Sequence, residues 1–365
     1  MISWANRVLA APTGGGDDYW AARPVVADRA VDPRPDVLVV GGGIAGAATA
    51  YACARRGLSV QVIDRDRAAG GVTCRSAGAL VPEVHVGRVP TLVTTLNRRG
   101  LVLHRKLAAD LGHQLRRLDW LDLRPDGPTA PDGSLADARQ LVPGLAASAQ
   151  GRLVTDQAQV DPVEVTASLL HQVPVGAGIE AGECRDTARG LEVRTNAGTI
   201  RPGWLVVATG QLPRPVADRP QGVRGHLIAL DTPPDVLPPR TAIGERLTVL
   251  PSLYGGLIAG ATRDGSTPAG HPLRDVVDGI RRQLAALLPD TRGAPVQAAW
   301  VGFRPTVGDR LPVVGRLPMN ARCVLIGGLY HTGVLLAPAI AELVVAAITE
   351  DRDLPAALRC DRPLD

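Results

Sequence analysis

The sequence predicts an α/β chain: a parallel, dinucleotide-binding sheet assembled from separated stretches of sequence, with a second, mixed or antiparallel sheet inserted among them. Three observations predict it. Residues 36–64 read DVLVVGGGIAGAATAYACARRGLSVQVID, an apolar run, a glycine turn, a helix-like stretch, a second apolar run and an acid. Two more continuous apolar runs, at 204–208 and 323–326, fall in the middle and near the end of the chain. Such unbroken runs are the mark of strands covered on both faces. Between them, 225–230, 247–250 and 256–260 read as strands of another sheet.

The first unit carries the most chemistry. Strand 36–40, helix 44–57 and strand 59–63 frame Gly41, Gly43 and Gly46 at the G-x-G-x-x-G spacing. Gly41 permits the tight turn out of the strand, Gly43 lets backbone approach a pyrophosphate, and Gly46 lets the helix lie close to the strand. The helix N-terminus then offers N–H groups and partial positive charge to phosphates. Asp64 ends the second strand where an acid accepts bonds from a ribose hydroxyl.

Composition bounds the rest. A chain of 365 residues exceeds what one core usually holds, so two closely joined domains are expected. With 45% hydrophobic residues and no apolar stretch of spanning length, no membrane span is expected. The N-terminus lacks the pattern of a signal peptide, so the expected location is cytoplasmic. The pI near 9.0 reflects arginine, since Lys106 is the one lysine. A net charge of only +4 without a long basic run argues against a nucleic-acid partner. The five cysteines (Cys53, Cys74, Cys184, Cys323 and Cys360) form no CxxC pair, so neither a metal site nor a disulfide framework is expected.

Other elements follow in order. Residues 1–35 form an arm for which two readings stand: one anchored on the body by Tyr19 and Trp20, the other a disordered tail. Residues 68–83 (AAGGVTCRSAGALVPE) are a small-residue loop. Residues 91–111 show helical spacing of leucines, 125–135 carry turn chemistry, and 163–173 read as a helix with Asp161 as N-cap and Pro162 in the first turn. Residues 190–200 read as a hairpin turning at 196–198. Residues 271–288 are a helix candidate, and Gly333 opens a long apolar helix reaching about Thr349.

Several of these segments resemble one family. The terminal stretch VLIGGLYHTGVLLAPAIAELVVAAI, the segment VGFRPTVGDRLPVVG at 301–315 and LPSLYGGLIAGATRD at 250–264 are similar to segments of the FAD-dependent D-amino-acid oxidase superfamily, most like its glycine oxidase branch. The resemblance covers most of 36–349 and implies a Rossmann-like FAD-binding domain, discontinuous in sequence, with an inserted substrate domain. The implied division is an N-terminal arm (1–35), FAD-binding segments (36–85, 152–222 and 302–350), substrate-binding segments (86–151 and 223–301) and a C-terminal tail (351–365).

The resemblance also implies roles for residues. Ile44, Ala45 and Arg65 join Gly41, Gly43, Gly46 and Asp64 around the ADP part. Thr73, Ala77, Gly78 and Ala79 match the loop passing the flavin, and Cys184 matches a position whose backbone meets the adenine. Thr209 and Gly210 end a nucleotide-sheet strand near the cofactor. Leu329, Tyr330, His331, Thr332, Gly333, Val334 and Leu335 match the loop and helix start at the isoalloxazine. Arg304 matches the arginine that pairs with a substrate carboxylate, a task suited to a planar fork. Three pocket positions depart from the branch: His331 stands where it has a second arginine, Thr248 where it has a tyrosine, and Arg263 where it has an apolar side chain. Tyr330 borders the same pocket.

The implied activity is oxidation of an amine or amino acid to an imine by hydride transfer to flavin N5, with oxygen as the acceptor. No cysteine lies in the 301–315 segment, where related sarcosine oxidases attach their flavin, so FAD is expected to be non-covalent. Those enzymes activate oxygen with a lysine, and Lys106 lies far from the flavin motifs in sequence. A dehydrogenase using another acceptor therefore stays open, as do a non-catalytic flavin-fold protein and an NAD-dependent enzyme. The oligomeric state is open, a homo-oligomer included.

Overall fold

A computed structural model of the chain describes residues 2–3, 17–20, 30–85, 89–123, 134–146, 150–188, 190–213, 216, 222–244, 246–263, 270–318 and 320–364. Most of the arm and the turn-rich stretch 125–133 lie outside the described residues.

The separated apolar runs meet in one six-stranded sheet. Its order is Val313–Leu317, Asn320–Gly327, Trp204–Gly210, Val37–Val40, Val60–Asp64 and Val175–Ala177. All neighbours are parallel except the edge strand Val313–Leu317. Val37, Leu38 and Val39 have no solvent exposure, and helices cover one face while a small antiparallel sheet covers the other. That double cover is why these strands read as unbroken apolar runs.

The helix layer consists of Ile44–Ala54, Thr91–Leu111, Pro162–Leu170 and Gly333–Thr349. The Asp161 carboxylate accepts from the Val163 and Glu164 amides at 2.8 and 3.1 Å, capping the third of these helices with Pro162 in its first turn. The expected hairpin forms between Gly190–Thr195 and Gly198–Ile200. Both strands belong to the four-stranded sheet that backs the parallel one.

A nine-stranded mixed sheet makes the second body. It runs Val296–Pro305, Gly222–Leu230, Leu257–Gly260, Thr248–Pro251, Thr241–Gly244, Leu115–Asp122, Gln150–Val160 and Ala79–Leu80, with Ser134–Asp137 paired to Gln150–Val160. Only the pairing of Thr241–Gly244 with Leu115–Asp122 is parallel. The amphipathic helix Arg274–Leu287 buries Ile280 and Leu284 against one face. Three of the expected domain boundaries, at 152, 223 and 302, fall inside strands of this sheet, because Gln150–Val160, Gly222–Leu230 and Val296–Pro305 are continuous through them. Strands Leu115–Asp122 and Gln150–Val160 were not evident in the sequence.

The arm's described aromatic pair sits on the other face. Trp20 is buried, and Tyr19 stacks on Trp300 with centroids 5.1 Å apart while its hydroxyl bonds that of Ser252. Trp300 Nε1 donates to the Arg75 carbonyl at 3.3 Å, which ties this aromatic cluster to the small-residue loop. No described helix is long and apolar enough to cross a membrane.

Candidate active site

A cavity of roughly 460 Å³ is lined by residues of both bodies. At its first end, Gly41 takes φ +111°, and a Cβ there would meet the Ala208 carbonyl oxygen at 2.5 Å. Gly46 lies under the same turn, where any Cβ would run into the Gly41 carbonyl oxygen. The N-cap residue of helix Ile44–Ala54 is Gly43, which has no side chain to bond the first turn, and the helix start lines the cavity through Gly43, Ile44 and Ala45. The Ile44 amide donates to Thr73 Oγ1 at 3.0 Å, which fixes the small-residue loop to this helix start.

Asp64 reaches the cavity from the end of its strand. Its carboxylate accepts from the Gly42 amide at 2.7 Å and the Asp66 amide at 3.0 Å. Burial raises its pKa above the ordinary carboxylate range, and the two amides oppose that shift. Arg65, paired with Asp66 at 3.3 Å, lines the same end.

The loop and strand ends expected at the flavin meet in the middle. Thr73, Ala77, Ala79, Thr209 and Gly210 all line the cavity, as do Leu329, Tyr330, His331, Thr332, Gly333, Val334 and Leu335. Tyr330 holds a left-handed φ of +49°, and its amide donates to the Pro305 carbonyl at 2.8 Å. That bond ties the loop to the residue following Arg304. The Tyr330 and His331 rings lie 4.2 Å apart, tilted by 35°.

The helix behind this loop contains a break that the fold repairs. Pro338 lies inside Gly333–Thr349 and lacks the N–H that would bond the carbonyl four residues back, that of Val334. His104 Nε2 stands 2.7 Å from that carbonyl. His104 is fully buried on helix Thr91–Leu111, and burial pulls its pKa down to about 4, so the ring is neutral and Nε2 carries the donated proton. Gly100, one turn earlier, admits the Leu335 carbonyl where a Cβ would collide with it. The cavity-lining turn at 333–335 is thus held from behind by two residues of one helix face.

Arg304 lies at the far end. Its strand pairs with Gly222–Leu230, and its guanidinium lies over Gly225, where a Cβ would come within 2.5 Å of Nη1. Nη1 donates to the Thr262 carbonyl at 3.1 Å. Thr248 and Arg263 line the same end, with Arg263 exposed.

Three expected residues do not line the cavity. Gly46 and Gly78 act from behind the lining: Gly78, at φ +76°, lets the loop close onto the Val160 carbonyl. Cys184, expected to meet the adenine through its backbone, is not among the lining residues. It sits within strand Ala181–Thr187 with its side chain buried in the core and its thiol hydrogen-bonded to that of Cys323. The chain instead meets the cavity at Ile179, Glu180 and Ala181, ahead of the position matched by resemblance. Trp120, also in the lining, belongs to a strand not read from sequence.

The residues fit FAD. One end has a glycine cradle that a single Cβ would fill, a helix start and a half-buried carboxylate for a ribose. The other has a second helix start and a cationic anchor within the same cavity.

Comparison with known proteins agrees. The bifunctional tRNA 5-methylaminomethyl-2-thiouridine biosynthesis protein MnmC of Maricaulis maris is 31% identical over 84% of this chain and 50% of its own length. This chain thus spans about half of that relative. The glycine oxidase of Geobacillus kaustophilus is 26% identical over 88% of this chain and 94% of its own. The crystal structure of glycine oxidase from that organism superposes with a TM-score of 0.82 at 23% identity, covering 92% of this chain and all of the other. The model of the FAD dependent oxidoreductase family, DAO, matches residues 36–347. The chain therefore belongs to the DAO family of FAD-dependent oxidoreductases, and its cofactor is FAD.

Proposed function

We propose that this enzyme oxidises the amine of a small carboxylate-bearing amine or amino acid to the imine, with oxygen as the final electron acceptor. The observation that carries this reading is Arg304, held in the same cavity as the turn at 329–335 and the dinucleotide cradle. FAD, when bound, supplies the acceptor at N5 for the hydride leaving the amine-bearing carbon. The chain's own residues then have definable work. Arg304 pairs with the substrate carboxylate and so orients the carbon beside it, and Gly225 leaves the guanidinium its room. The helix start at 333–335 favours negative charge close to it, a suitable setting for the pyrimidine end of a flavin. His331, exposed in the lining beside Tyr330, is placed to bond the substrate or to take a proton from its amine.

The names of the relatives, a glycine oxidase and a methylaminomethyl-modifying protein, support an amine substrate by analogy. None of the described lining residues is a cysteine, which supports a non-covalent flavin. All five cysteines are buried and outside any disulfide, as suits a reducing compartment, and we place the protein in the cytoplasm. The six-stranded sheet with its helices is assigned to FAD, and the nine-stranded sheet to the substrate.

A second reading, a dehydrogenase with another acceptor, is favoured by one observation. Lys106, the chain's one lysine, is exposed on helix Thr91–Leu111 and does not line the cavity. Oxygen uptake with peroxide formation separates the two readings. Arg304→Ala tests the shared part: the protein should stay yellow while KM for carboxylate substrates rises about 10- to 100-fold, as expected for losing a charge-assisted pair. Unchanged kinetics would remove Arg304 from the site.

A further inference from the structure

We propose that Arg263 is a second anion anchor, and that the substrate carries two carboxylates, as an amino dicarboxylic acid or an N-carboxymethyl amino acid does. This rests on the amine-oxidation reading and narrows it. The first support is placement. Arg263 directly follows Thr262, whose carbonyl accepts from Arg304 Nη1 at 3.1 Å, so the two cations are built onto one stretch of backbone. That stretch is fixed: Thr262 Oγ1 accepts from the His226 amide at 2.9 Å, and the buried His226 ring accepts from the Leu273 amide at 3.1 Å. Both arginines line the cavity.

The second support is the distribution of charge. Among the described lining residues the acids are Asp64, Asp66 and Glu180, all at the dinucleotide end. The part of the lining that holds Arg304 and Arg263 has no acid among the described residues. The carboxylate of a simple amino acid engages one fork, whereas a second carboxylate gives Arg263 an ionic partner.

The third support is the small lining beside the two arginines. Gly225 is taken up by the Arg304 guanidinium, and Thr248 and Ala261, which flank Arg263 in the lining, are small. Arg263 is exposed, so its pair with a carboxylate is partly screened, and its contribution to affinity should be about tenfold rather than a thousandfold.

The test is an anaerobic half-reaction of the FAD-loaded enzyme with matched substrates: D-aspartate, D-glutamate and iminodiacetate against D-alanine, D-norvaline and sarcosine. Binding of succinate and butyrate, read from the flavin spectrum, gives a measure independent of turnover. Dicarboxylates should reduce the flavin with the higher ratio of rate to dissociation constant. Arg263→Ala should lower the dicarboxylate-to-monocarboxylate ratio about tenfold and the succinate-to-butyrate binding ratio similarly, with partial rescue in Arg263→Lys. Equal use of both classes, or ratios that Arg263→Ala leaves unmoved, overturns the proposal. If no amine reduces the flavin, the amine-oxidation reading and this substrate assignment both fall. A succinate preference that still depends on Arg263 would then show that the anion anchor stands without it.

Discussion

The bond from His104 to the Val334 carbonyl lends itself to a quantitative test. His104→Ala removes the donor at 2.7 Å and leaves the carbonyl buried beside Pro338, which has no N–H to offer. An orphaned buried acceptor costs about 1–3 kcal/mol, and the space vacated by a fully buried ring adds to that. A total loss of about 2–4 kcal/mol is expected. Pro338→Ala returns an amide at the position that bonds Val334 within the helix, so in that background the histidine should matter less. The coupling between the two substitutions should be about 1–2 kcal/mol. Urea unfolding of wild type, both single variants and the double variant, each saturated with FAD, measures it. Because Val334 and Leu335 line the cavity, His104→Ala should also weaken FAD binding, and Pro338→Ala should restore part of that loss. Effects of the two substitutions that add within a few tenths of a kcal/mol would refute the repair.

The same histidine gives an acid limb. Its folded-state pKa is lowered from 6.5 to about 4 by burial, so its contribution is complete above pH 6.5 and is lost as pH falls towards 4. The loss from this group is about 3 kcal/mol, and His104→Gln should flatten that part of the stability profile. The remaining slope then reports His113 among others, since burial lowers its pKa too. Gly46→Ala places a Cβ against the Gly41 carbonyl oxygen and should abolish FAD retention on gel filtration; a yellow, stable variant would contradict the cradle geometry.

What the sequence revealed, and what it hid, has physical causes. Strands Val37–Val40, Trp204–Gly210 and Asn320–Gly327 were legible because each has a continuous apolar segment covered on both faces. Strands Leu115–Asp122 and Gln150–Val160 were not, since each carries polar residues on a partly wet face. Their register shifts between Leu118 and Trp120, which breaks the two-residue period. Trp120 therefore joined the cavity unannounced. The cradle at 41–46 could be read because all its parts are local. The stretch matched at Cys184 lines the cavity a few residues earlier, at 179–181, and the Cys184 side chain turns towards Cys323, a placement that the sequence pattern does not carry. The bond between His104 and Val334 joins residues 230 apart in sequence, and no pattern in either helix signals it.

The central claim is that the cavity joins an FAD cradle at one end to an anchored amine at the other. Mixing the FAD-loaded protein with candidate amines under anaerobic conditions, and following the visible flavin absorbance, tests it most directly. The account predicts bleaching by carboxylate-bearing amines, with Arg304→Ala needing far higher amine concentrations for the same rate. A protein that holds FAD yet is bleached by no amine, or is bleached equally well with and without Arg304, would contradict it.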